Sequence, residues 1–400
     1  GLSSQDYGAS TFYSAKFDNQ WEATRRIITS AQADIKPFGD ERLVITPQAY
    51  WHRDVDHYQL TRGKEGAKNG ENYHRTDVYG ASLNAHATWL LGKTAVGMDI
   101  RKEHILSTAY GDLLPENEWK DIHGTDRRYD HRGDRTNTSL FLEHNVILGG
   151  FTLSAGVLAN RNTGLDGDFR FYPGVDLSYR PNEMWKFYAS WNKALRVPTY
   201  TDLYTSNSVQ QGDTGLRPER TSTFKAGTRF RTRGVEAVVS GFYSKGNDII
   251  DWVYETEESR KYHAMNIGKL DNMGYSVDAT LNMTELLPGS FVTRIKAGYA
   301  RIHQRHTTEQ PVYRSLYALE YLRHKATFQL DHRIWSRLSA SWAVRWQERM
   351  NHYEPYTKVD CKLQWTAPTY SLYVKADNIT NHRYYDLGGV RQPGLWIMAG

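Results

Sequence analysis

The sequence predicts an all-β protein, a transmembrane antiparallel up-and-down β-barrel. Three observations carry this prediction: apolar and polar residues alternate along most of the chain, short and long connections alternate between the segments, and aromatic residues are abundant. Period-two alternation is typical of strands with one apolar face. Short turns at one end and long loops at the other are typical of membrane barrels, whereas sandwiches and propellers mix loop lengths at both ends.

The composition agrees with a membrane barrel and excludes several other classes. Aromatic residues make up 13% of the 400 residues, the mean hydropathy is -0.67, and no apolar run approaches the roughly 18 residues of a membrane helix. A barrel has a low mean hydropathy because its lipid-facing residues alternate with polar lumen residues. The net charge of +5 arises from interspersed charges of both signs, so we expect no nucleic-acid partner.

The predicted strands follow in a regular order from residue 20 onward. The pattern of residues 1–19 is ambiguous between a short strand and a loop. Tight turns are predicted at residues 37–41, 92–93, 149–150, 180–184, 232–234, 286–290, 336–337 and 367–369. Longer connections are predicted at residues 57–72, 111–134, 162–168, 196–220, 255–263, 307–319, 351–354 and 380–393. The chain thus has about 17 strands, or about 18 if residues 9–18 form one.

The clearest strands indicate an apolar face turned toward lipid. In residues 338–346, Leu, Ala, Trp, Val and Trp alternate with Ser, Ser, Ala and Arg, and residues 370–377 alternate in the same way. The single Cys361 shares an apolar face with its neighbours at positions 359, 363 and 365. We therefore interpret Cys361 as a small apolar surface residue and not as a metal or redox site.

Two segments resemble motifs of TonB-dependent outer-membrane receptors. Residues 194–204, Ala-Leu-Arg-Val-Pro-Thr-Tyr-Thr-Asp-Leu-Tyr, resemble the Arg-x-Pro segment that leaves one strand in that family, and residues 215–220, Gly-Leu-Arg-Pro-Glu-Arg, resemble the Leu-x-Pro-Glu segment that enters the next. Residues 376–385 and 392–394 resemble the family's Asn-Leu-Phe/Thr-Asn, Tyr and Pro-Gly-Arg pattern, although Leu395 stands where Arg is usual. Residues 12–15 and 20–22 are similar to a segment of some receptors, including cobalamin receptors.

The resemblance implies a barrel of about 22 strands with a plugged lumen. We therefore expect residues 1–400 to be a single outer-membrane barrel domain, truncated at both ends, with the plug domain and the TonB box outside the chain. The implied function is TonB-dependent uptake of a scarce bulky nutrient, such as a cobalamin, an iron siderophore or haem, across the outer membrane of a Gram-negative bacterium. The implied partners are outer-membrane lipid, the plug, the TonB complex, the nutrient and a surface lipoprotein.

A passive porin is the alternative function, because barrels of about 16 to 18 strands leave an open aqueous channel. An enzyme is not expected. A nucleophile needs a base within reach, and no motif for such a pair or for a paired-carboxylate site stands out in the sequence.

The residues of the family motifs are expected to have structural roles. Proline fixes the backbone and removes a donor where a strand ends, and arginine and glutamate can pair inside a polar lumen. These residues are Arg196, Pro198, Leu216, Pro218, Glu219, Asn378, Pro393 and Gly394.

Aromatic residues in or beside the long loops are the ligand-binding candidates. A bulky ligand needs a concave aromatic surface, although barrels also place Tyr and Trp at the membrane interface as anchors. The candidates are Trp119, Tyr129, Tyr200, Tyr204, Trp252, Tyr254, Tyr313 and Tyr317.

Two metal interpretations rest on local patterns. Asp166 and Asp168, on either side of Gly167, offer oxygen ligands suited to Ca²⁺, although acidic turns also form for local reasons. No other cofactor is expected. A haem or metal site of His303 and His306 with His123 and His131 is disfavoured, because positions i and i+3 of a strand face opposite sides.

Overall fold

The computed structural model describes residues 1–8, 19–165, 167–319, 321–350, 353–385 and 391–400. The strands are β1 (Leu2–Gly8), β2 (Trp21–Gln32), β3 (Leu43–Gln59), β4 (Glu71–Trp89), β5 (Gly92–Ser107), β6 (Asp112–Leu113), β7 (Lys120–Asp121), β8 (Arg128–Tyr129), β9 (His131–Leu148), β10 (Phe151–Asn162), β11 (Arg170–Tyr179), β12 (Trp185–Arg196), β13 (Gln210–Gln211), β14 (Glu219–Thr232), β15 (Val235–Asn247), β16 (Ile250–Tyr254), β17 (Tyr262–Asn266), β18 (Gly268–Asn282), β19 (Val292–Thr308), β20 (Arg314–Ser315), β21 (Leu322–Arg333), β22 (Leu338–Arg349), β23 (Tyr356–Thr366), β24 (Ser371–Asp377) and β25 (Trp396–Ala399).

The helices that the structure describes are short. Two are α-helical, α1 (Tyr200–Tyr204) and α2 (Met283–Leu286), and two single turns of 3-10 helix lie at Ala67–Asn69 and Glu116–Glu118. Within the described ranges, none of the helices has the length and apolar character that crossing a membrane requires.

One large antiparallel sheet contains 19 of the strands. Each long strand pairs with the long strand before and after it in the chain, so that β5 pairs with β9, β12 with β14, β15 with β18 and β19 with β21. The remaining member is the two-residue β6, which pairs with β9 at the end of the sheet. The result is the predicted antiparallel up-and-down arrangement, and the fold class predicted from the alternation is confirmed.

The predicted strand count is confirmed over the described residues. From Trp21 onward the up-and-down series has 17 strands, counted from β2 to β25 without the short strands inside the long connections. One more strand, β1, precedes them and pairs with β2 from Leu2 opposite Ile27 to Gly8 opposite Trp21. The strand suggested for residues 9–18 lies outside the described residues.

Short and long connections alternate as predicted, which gives the sheet a tight-turn end and a long-loop end. Two residues, 90–91, join β4 to β5, and Gly149 with a φ of 57° turns β9 into β10. Strands reach further into the loops than predicted. The first long loop covers residues 60–70 instead of 57–72, because β3 and β4 stay paired up to Gln59 opposite Glu71. Polar side chains on both faces hide such strand ends from a hydrophobicity pattern.

The outer face of the sheet is apolar and the inner face is polar. Leu83, Met98 and Leu140 lie side by side on three neighbouring strands and are all exposed. On the other face, Ser82 and Asp99 lie in register. An exposed apolar band around a polar interior is the arrangement of a membrane barrel, so the even-numbered residues of β4 and the odd-numbered residues of β9 face the lumen.

Clusters of buried apolar residues lie at the long-loop end and not between layers of the wall. One cluster joins the ends of β4 and β5 to the loop at residues 108–130, and two more join the loops between β12 and β14, β15 and β18, and β19 and β21. The long loops therefore have packed cores of their own, and they are the natural place to look for a binding site.

Candidate functional site

Three long loops share a small sheet above the barrel wall. The strand β16 pairs antiparallel with β17 in the same loop and with β20 in the loop before β21. The two-residue strand β13, from the loop between β12 and β14, adds to β17 in parallel. The sequence-predicted loop at residues 255–263 is thus the tip of a hairpin, and the three loops form one unit.

An apolar core holds this loop sheet together. Trp252 packs with Ile250, Leu316 and Leu216 and is only 6% exposed. Burial of an aromatic side chain of this size contributes more to packing than most single residues. Trp252, a predicted ligand-binding residue, therefore contributes its ring to the loop core, and Leu216 of the family motif packs beside it.

A buried carboxylate ties the third loop to the second. Asp251 is 1% exposed and accepts hydrogen bonds from the amides of Trp252 at 2.8 Å, Ala318 at 3.0 Å and Tyr317 at 3.2 Å, and from the hydroxyl of Ser315. Burial raises the pKa of Asp251 to about 6, while these donors act in the opposite direction. All of its hydrogen-bond donors are neutral groups.

A second buried carboxylate, Glu71, ties the other long loops together. It accepts hydrogen bonds from the amide of Gly66 at 2.6 Å, from Gln59 at 3.1 Å and from Tyr73 at 3.1 Å. His57 lies at 2.8 Å and the guanidinium of Arg127 at 3.3 Å. Burial by itself raises the pKa of Glu71, but these hydrogen bonds outweigh it and hold the pKa at about 2.

The predicted aromatic residues of the loop between β5 and β9 pack close to Glu71. Tyr129 is buried in a cluster with Tyr73, Leu106 and Leu114, and Trp119 packs against that cluster. The indole of Trp119 donates to the carbonyl of Leu114 at 2.9 Å. Both aromatic side chains therefore support the fold of their loop.

The first family motif forms an ion-pair network where β12 ends and β14 begins. The guanidinium of Arg196 contacts Asp202 at 3.1 Å and Glu219 at 2.8 Å. Asp202 also closes a capping box with Thr199 at the start of α1, and Glu219 accepts the amide of Ile250 at 2.9 Å. The motif thus fixes α1 to the wall and the wall to the loop sheet.

The helix α1 lies on the lumen side of the wall. Arg135 faces the lumen, donates to the carbonyl of Pro198 at 2.8 Å and lies 4.6 Å from the ring centre of Tyr200. Tyr200 and Tyr204 stack with ring centres 6.2 Å apart. Pro198, two residues before the helix, and Pro218, before β14, are both buried. Tyr200 and Tyr204 are consequently the predicted aromatic residues that lie at the mouth of the barrel.

A small cavity of about 70 Å³ opens between α1 and the wall, lined by Asp56, Tyr58, His74 and Tyr110 among others. His74 stacks on Tyr110 at 4.2 Å, and burial lowers the pKa of His74 to about 4, so the imidazole is neutral at pH 7. Burial and the neighbouring Glu22 raise the pKa of Asp56. These groups lie more than about ten residues from the tight-turn end, beyond the strand length that crosses a membrane.

A larger cleft of about 380 Å³ adjoins this cavity at the long-loop end. Lys64 and Lys68 of the first long loop line it on one side, and Ser206 and Asn207 of the loop after α1 line the other. Asn207 lines both spaces, so the cleft continues toward the lumen. None of its described lining residues is acidic. The cleft can hold an anionic ligand.

The second family motif forms a local hydrogen-bond network. Asn378 is 1% exposed with a φ of 52°, donates to the carbonyls of His382 at 2.9 Å and Pro393 at 3.3 Å, and accepts the amide of His382 at 3.0 Å. A Cβ on Gly394 would lie 2.4 Å from the amide oxygen of Asn381. The contacts of Asn378, Pro393 and Gly394 are made within the protein.

The remaining predicted aromatic residues lie on the loop sheet. Tyr254 stacks on Tyr262 with ring centres 4.0 Å apart. Tyr317 is partly exposed, and Tyr313 is 59% exposed. Neither tyrosine belongs to the buried clusters that hold the loops together. These two side chains are accessible to a ligand from outside.

The predicted metal ligands lie in separate parts of the chain. Asp166 lies outside the described residues, so the calcium site of Asp166 and Asp168 remains a prediction. Among the residues that the structure does describe, no three His, Cys, Asp or Glu side chains cluster in a way that could hold a metal ion. His303 faces the outside of the wall beside Met273, as its strand position requires.

Sequence reasoning did not identify Lys64, Lys68, Glu71 or Asp251 as site residues. The first long loop is visibly rich in Gly and Lys, which was a usable signal. Its counterpart at residues 206–208 lies more than a hundred positions away, and no local pattern encodes that contact.

Solved structures of transporters and receptors share this fold. The chain is similar to the FrpB iron transporter from Neisseria meningitidis, with a TM-score of 0.69 and 17% identity over 95% of this chain and 63% of FrpB. It is similar to the ferric enterobactin receptor PfeA from Pseudomonas aeruginosa, with a TM-score of 0.68 and 14% identity over 95% of this chain and 61% of PfeA. It is also similar to the copper transporter OprC, with a TM-score of 0.67 and 16% identity over 94% of this chain and 64% of OprC. At these identities the likeness shows the fold alone.

Tight turns at one end, packed long loops at the other and an apolar outer band define an outer-membrane β-barrel of a Gram-negative bacterium. A family model described as TonB dependent receptor-like, beta-barrel, matches residues 2–379, and the chain belongs to that family. The resemblance seen in the two motifs is thereby confirmed. The chain spans less than two thirds of the length of FrpB, PfeA and OprC.

Proposed function

We propose that this chain is the barrel of a TonB-driven importer for a bulky anionic metal chelate, such as a ferric siderophore. The single observation that carries the proposal is the cleft between the loops at residues 60–70 and 206–208. Lys64 and Lys68 line it and form no ion pair among the described residues, so a ligand with negative charge can supply their counter-charge.

The family and its relatives support a metal-bearing ligand. FrpB is an iron transporter, PfeA is a ferric enterobactin receptor and OprC is a copper transporter. Cobalamin and haem are the other nutrients of this size class, and the basic cleft favours an anionic chelate over a largely neutral corrinoid. Tyr200 and Tyr204 at the mouth, with Tyr313 and Tyr317 on the loop sheet, supply aromatic surface for its ligand groups.

Energy coupling distinguishes the proposal from the passive porin. The lumen at the tight-turn end contains a polar space of about 710 Å³, lined by charged residues that include Arg294, Asp331 and Lys362. A plug domain carried by the full-length protein would pair with such residues and close the channel, so that TonB must act on the plug.

The test uses the full-length receptor in a strain that lacks its own copy, with ferric chelates of graded negative charge as the limiting iron source. We expect the Lys64→Gln, Lys68→Gln double variant to raise the half-saturating concentration about ten-fold, since each lysine near an anion contributes roughly 0.5 to 1 kcal/mol. Lys120→Gln, at an exposed lysine of a long loop outside the cleft, is the matched control.

Two results would contradict the proposal in different ways. Uptake that persists unchanged in a strain without TonB would support a passive channel. Uptake that needs TonB but is unaffected by the double variant would support a TonB-driven transporter and would show that the cleft is not part of its ligand site.

A further inference from the structure

The outer wall carries a slot of about 650 Å³ across β14, β15, β18 and β19. Its floor is made by Ala226 and Gly241, which lie in register on neighbouring strands. Phe224 and Tyr243 form the wall one step toward the long loops, and Tyr275 closes the side. Phe224 and Tyr275 are exposed, so the slot faces outward and is separate from the lumen.

The slot lies in the half of the membrane nearest the long loops. Gly241 is the seventh residue of β15 from the tight turn, and Arg301 is the tenth residue of β19. A tilted strand crosses a membrane with about 9 to 11 residues. The floor of the slot is therefore inside the outer leaflet, and Arg301 at its rim lies at the membrane surface.

A basic row lies directly above the aromatic wall. Lys193, Ser222, Lys245, Asp271 and Arg305 face the same side and follow one another in register across five strands. Asp271 is the one acid of the row, and it accepts the hydroxyl of Tyr243 at 3.2 Å. The row therefore has an excess of positive charge.

The cations around the slot form no ion pairs in the described ranges. Asp271 lies in register between Lys245 and Arg305, but neither of these residues lies within ion-pair distance of a carboxylate, and the same holds for Arg301. Arg53 and Arg220 are paired by contrast, with Asp77 at 2.7 Å and with Asp248 at 2.6 Å. A cluster of unpaired cations at the membrane surface attracts anionic headgroups.

We propose that this face binds one molecule of a phosphorylated glycolipid of the outer leaflet, of the lipid A type. An acyl chain lies in the slot over Gly241, the aromatic rings of Phe224 and Tyr243 contact the sugar and glycerol-like region, and the phosphates meet Lys245 and Arg305. These two cations are two strands apart, about 10 Å, which suits a headgroup with two phosphates better than one with a single phosphate.

Gly241 makes the slot testable without disturbing the barrel. An added Cβ would have only the carbonyl of Gly274 within reach, at 3.7 Å, which is ordinary contact. Gly241→Leu therefore fills the slot from within the wall. Ala155→Leu, at an exposed outer-face alanine on β10, adds similar bulk on another part of the surface and is the control.

The experiment is native mass spectrometry of the delipidated full-length receptor with diphosphorylated lipid A, monophosphorylated lipid A or phosphatidylglycerol. We expect affinity in that order. The Lys245→Gln, Arg305→Gln double variant should lower lipid A affinity about thirty-fold, because each surface cation contributes about 1 kcal/mol. Gly241→Leu should lower it about ten-fold, whereas Ala155→Leu and Arg25→Gln, an exposed outer-face arginine, should not change it.

Four outcomes would overturn the proposal. Three of them are equal affinity of lipid A for the double variant and the unchanged receptor, binding of phosphatidylglycerol as tight as that of lipid A, and a receptor dimer in which the slot is covered by a second copy. A normal affinity of Gly241→Leu with a weakened double variant would also overturn it, since the acyl chain would not occupy the slot.

Discussion

Glu71 and Asp251 are both buried carboxylates that hold long loops together, yet their pKa values shift in opposite directions. The pKa of Glu71 is held at about 2, and that of Asp251 is raised to about 6. Both accept several hydrogen bonds, so the number of donors does not explain the difference. Burial raises the pKa of both carboxyls. At Glu71 the hydrogen bonds from the Gly66 amide, His57, Gln59 and Tyr73 outweigh burial, whereas at Asp251 burial prevails over the amides and the hydroxyl that donate to it.

The protein fixes its long loops in two different ways. The loops around Glu71 are tied by a carboxylate that accepts hydrogen bonds from several donors, among them the guanidinium of Arg127, and this tie is strong while the carboxylate is ionised. The loop sheet around Asp251 relies on an apolar core with Trp252 at its centre, and its carboxylate is costly to ionise. The two regions should therefore respond differently to cavity formation, charge removal and pH.

Removal of the central ring of the loop sheet should have the largest effect. Trp252→Ala leaves a cavity in a packed core and should destabilise the loop sheet by roughly 3 to 5 kcal/mol. Amide hydrogen exchange of residues 248–267 and 309–319 in the full-length receptor measures this, with Gly66 as an internal reference in the other region. Trp335→Ala, at an exposed tryptophan of the tight-turn end, is the control. Unchanged exchange in the loop sheet would show that the core is not what holds it.

Removal of the charge of Glu71 should come next. Glu71→Gln keeps the shape but loses the ionised form that its neighbours favour, and a pKa shift from 4.5 to about 2 corresponds to roughly 3 kcal/mol. Faster exchange of the Gly66 amide and of the first long loop is the expected result, with the loop sheet unaffected. Glu65→Gln, an exposed neighbour in the same loop, should leave exchange as it is.

Acidification should change the stability of the two regions in opposite directions. The folded pKa of Glu71 lies below its unfolded value, so its contribution is present above pH 4.5 and is lost as the pH falls toward 2. The folded pKa of Asp251 lies above its unfolded value, so its contribution is complete below pH 3.8 and is lost as the pH rises through about 6. Amide exchange in the loop sheet, corrected for its intrinsic pH dependence, should be slower at pH 4 than at pH 7. The difference corresponds to a stabilisation of the loop sheet of at most roughly 3 kcal/mol.

Asp251→Asn is the control for the acid effect, because it removes the titrating group. Its loop sheet should show the same corrected exchange at both pH values. A remaining pH dependence in that variant would assign the effect to another group.

The smallest structural effect is expected at Tyr313. Its side chain is 59% exposed and lies outside the buried clusters, so Tyr313→Ala should change loop protection by less than about 0.5 kcal/mol. A loss of ligand affinity in this variant would then report contact with the ligand. Unchanged affinity would remove Tyr313 from the ligand site.

The wall could be predicted from the sequence because each strand shows its own alternation. In β22, the large apolar side chains of Trp342 and Val344 alternate with small or polar ones, and the pairing follows from the order of the strands. The family motifs also located the ends of β12 and β14. What the sequence did not reveal was the packing of loop against loop, since a polar loop with a few aromatic residues has the same composition whether it is packed or open.

Individual site residues show the same limit. Trp252 was predicted from its type and position in a long loop, but its burial depends on Leu316, more than sixty positions away. Glu71 was included in a predicted loop, although it is the first residue of β4 and meets Arg127 from another loop. Contacts of this range are set by the barrel, which brings distant loops to one end.

The sharing of one small sheet by three loops also bears on how this protein can vary over time. Val253 of β16 pairs with His263 of β17 and with Ser315 of β20, which belongs to another loop, so a substitution at this position must be compatible with both neighbouring strands. The hairpin tip at residues 255–261 lies outside the paired strands and is free of this constraint. Under pressure from antibodies or phages, substitutions should therefore accumulate at the tip and spare β16, and a count of differences among strains would show whether they do.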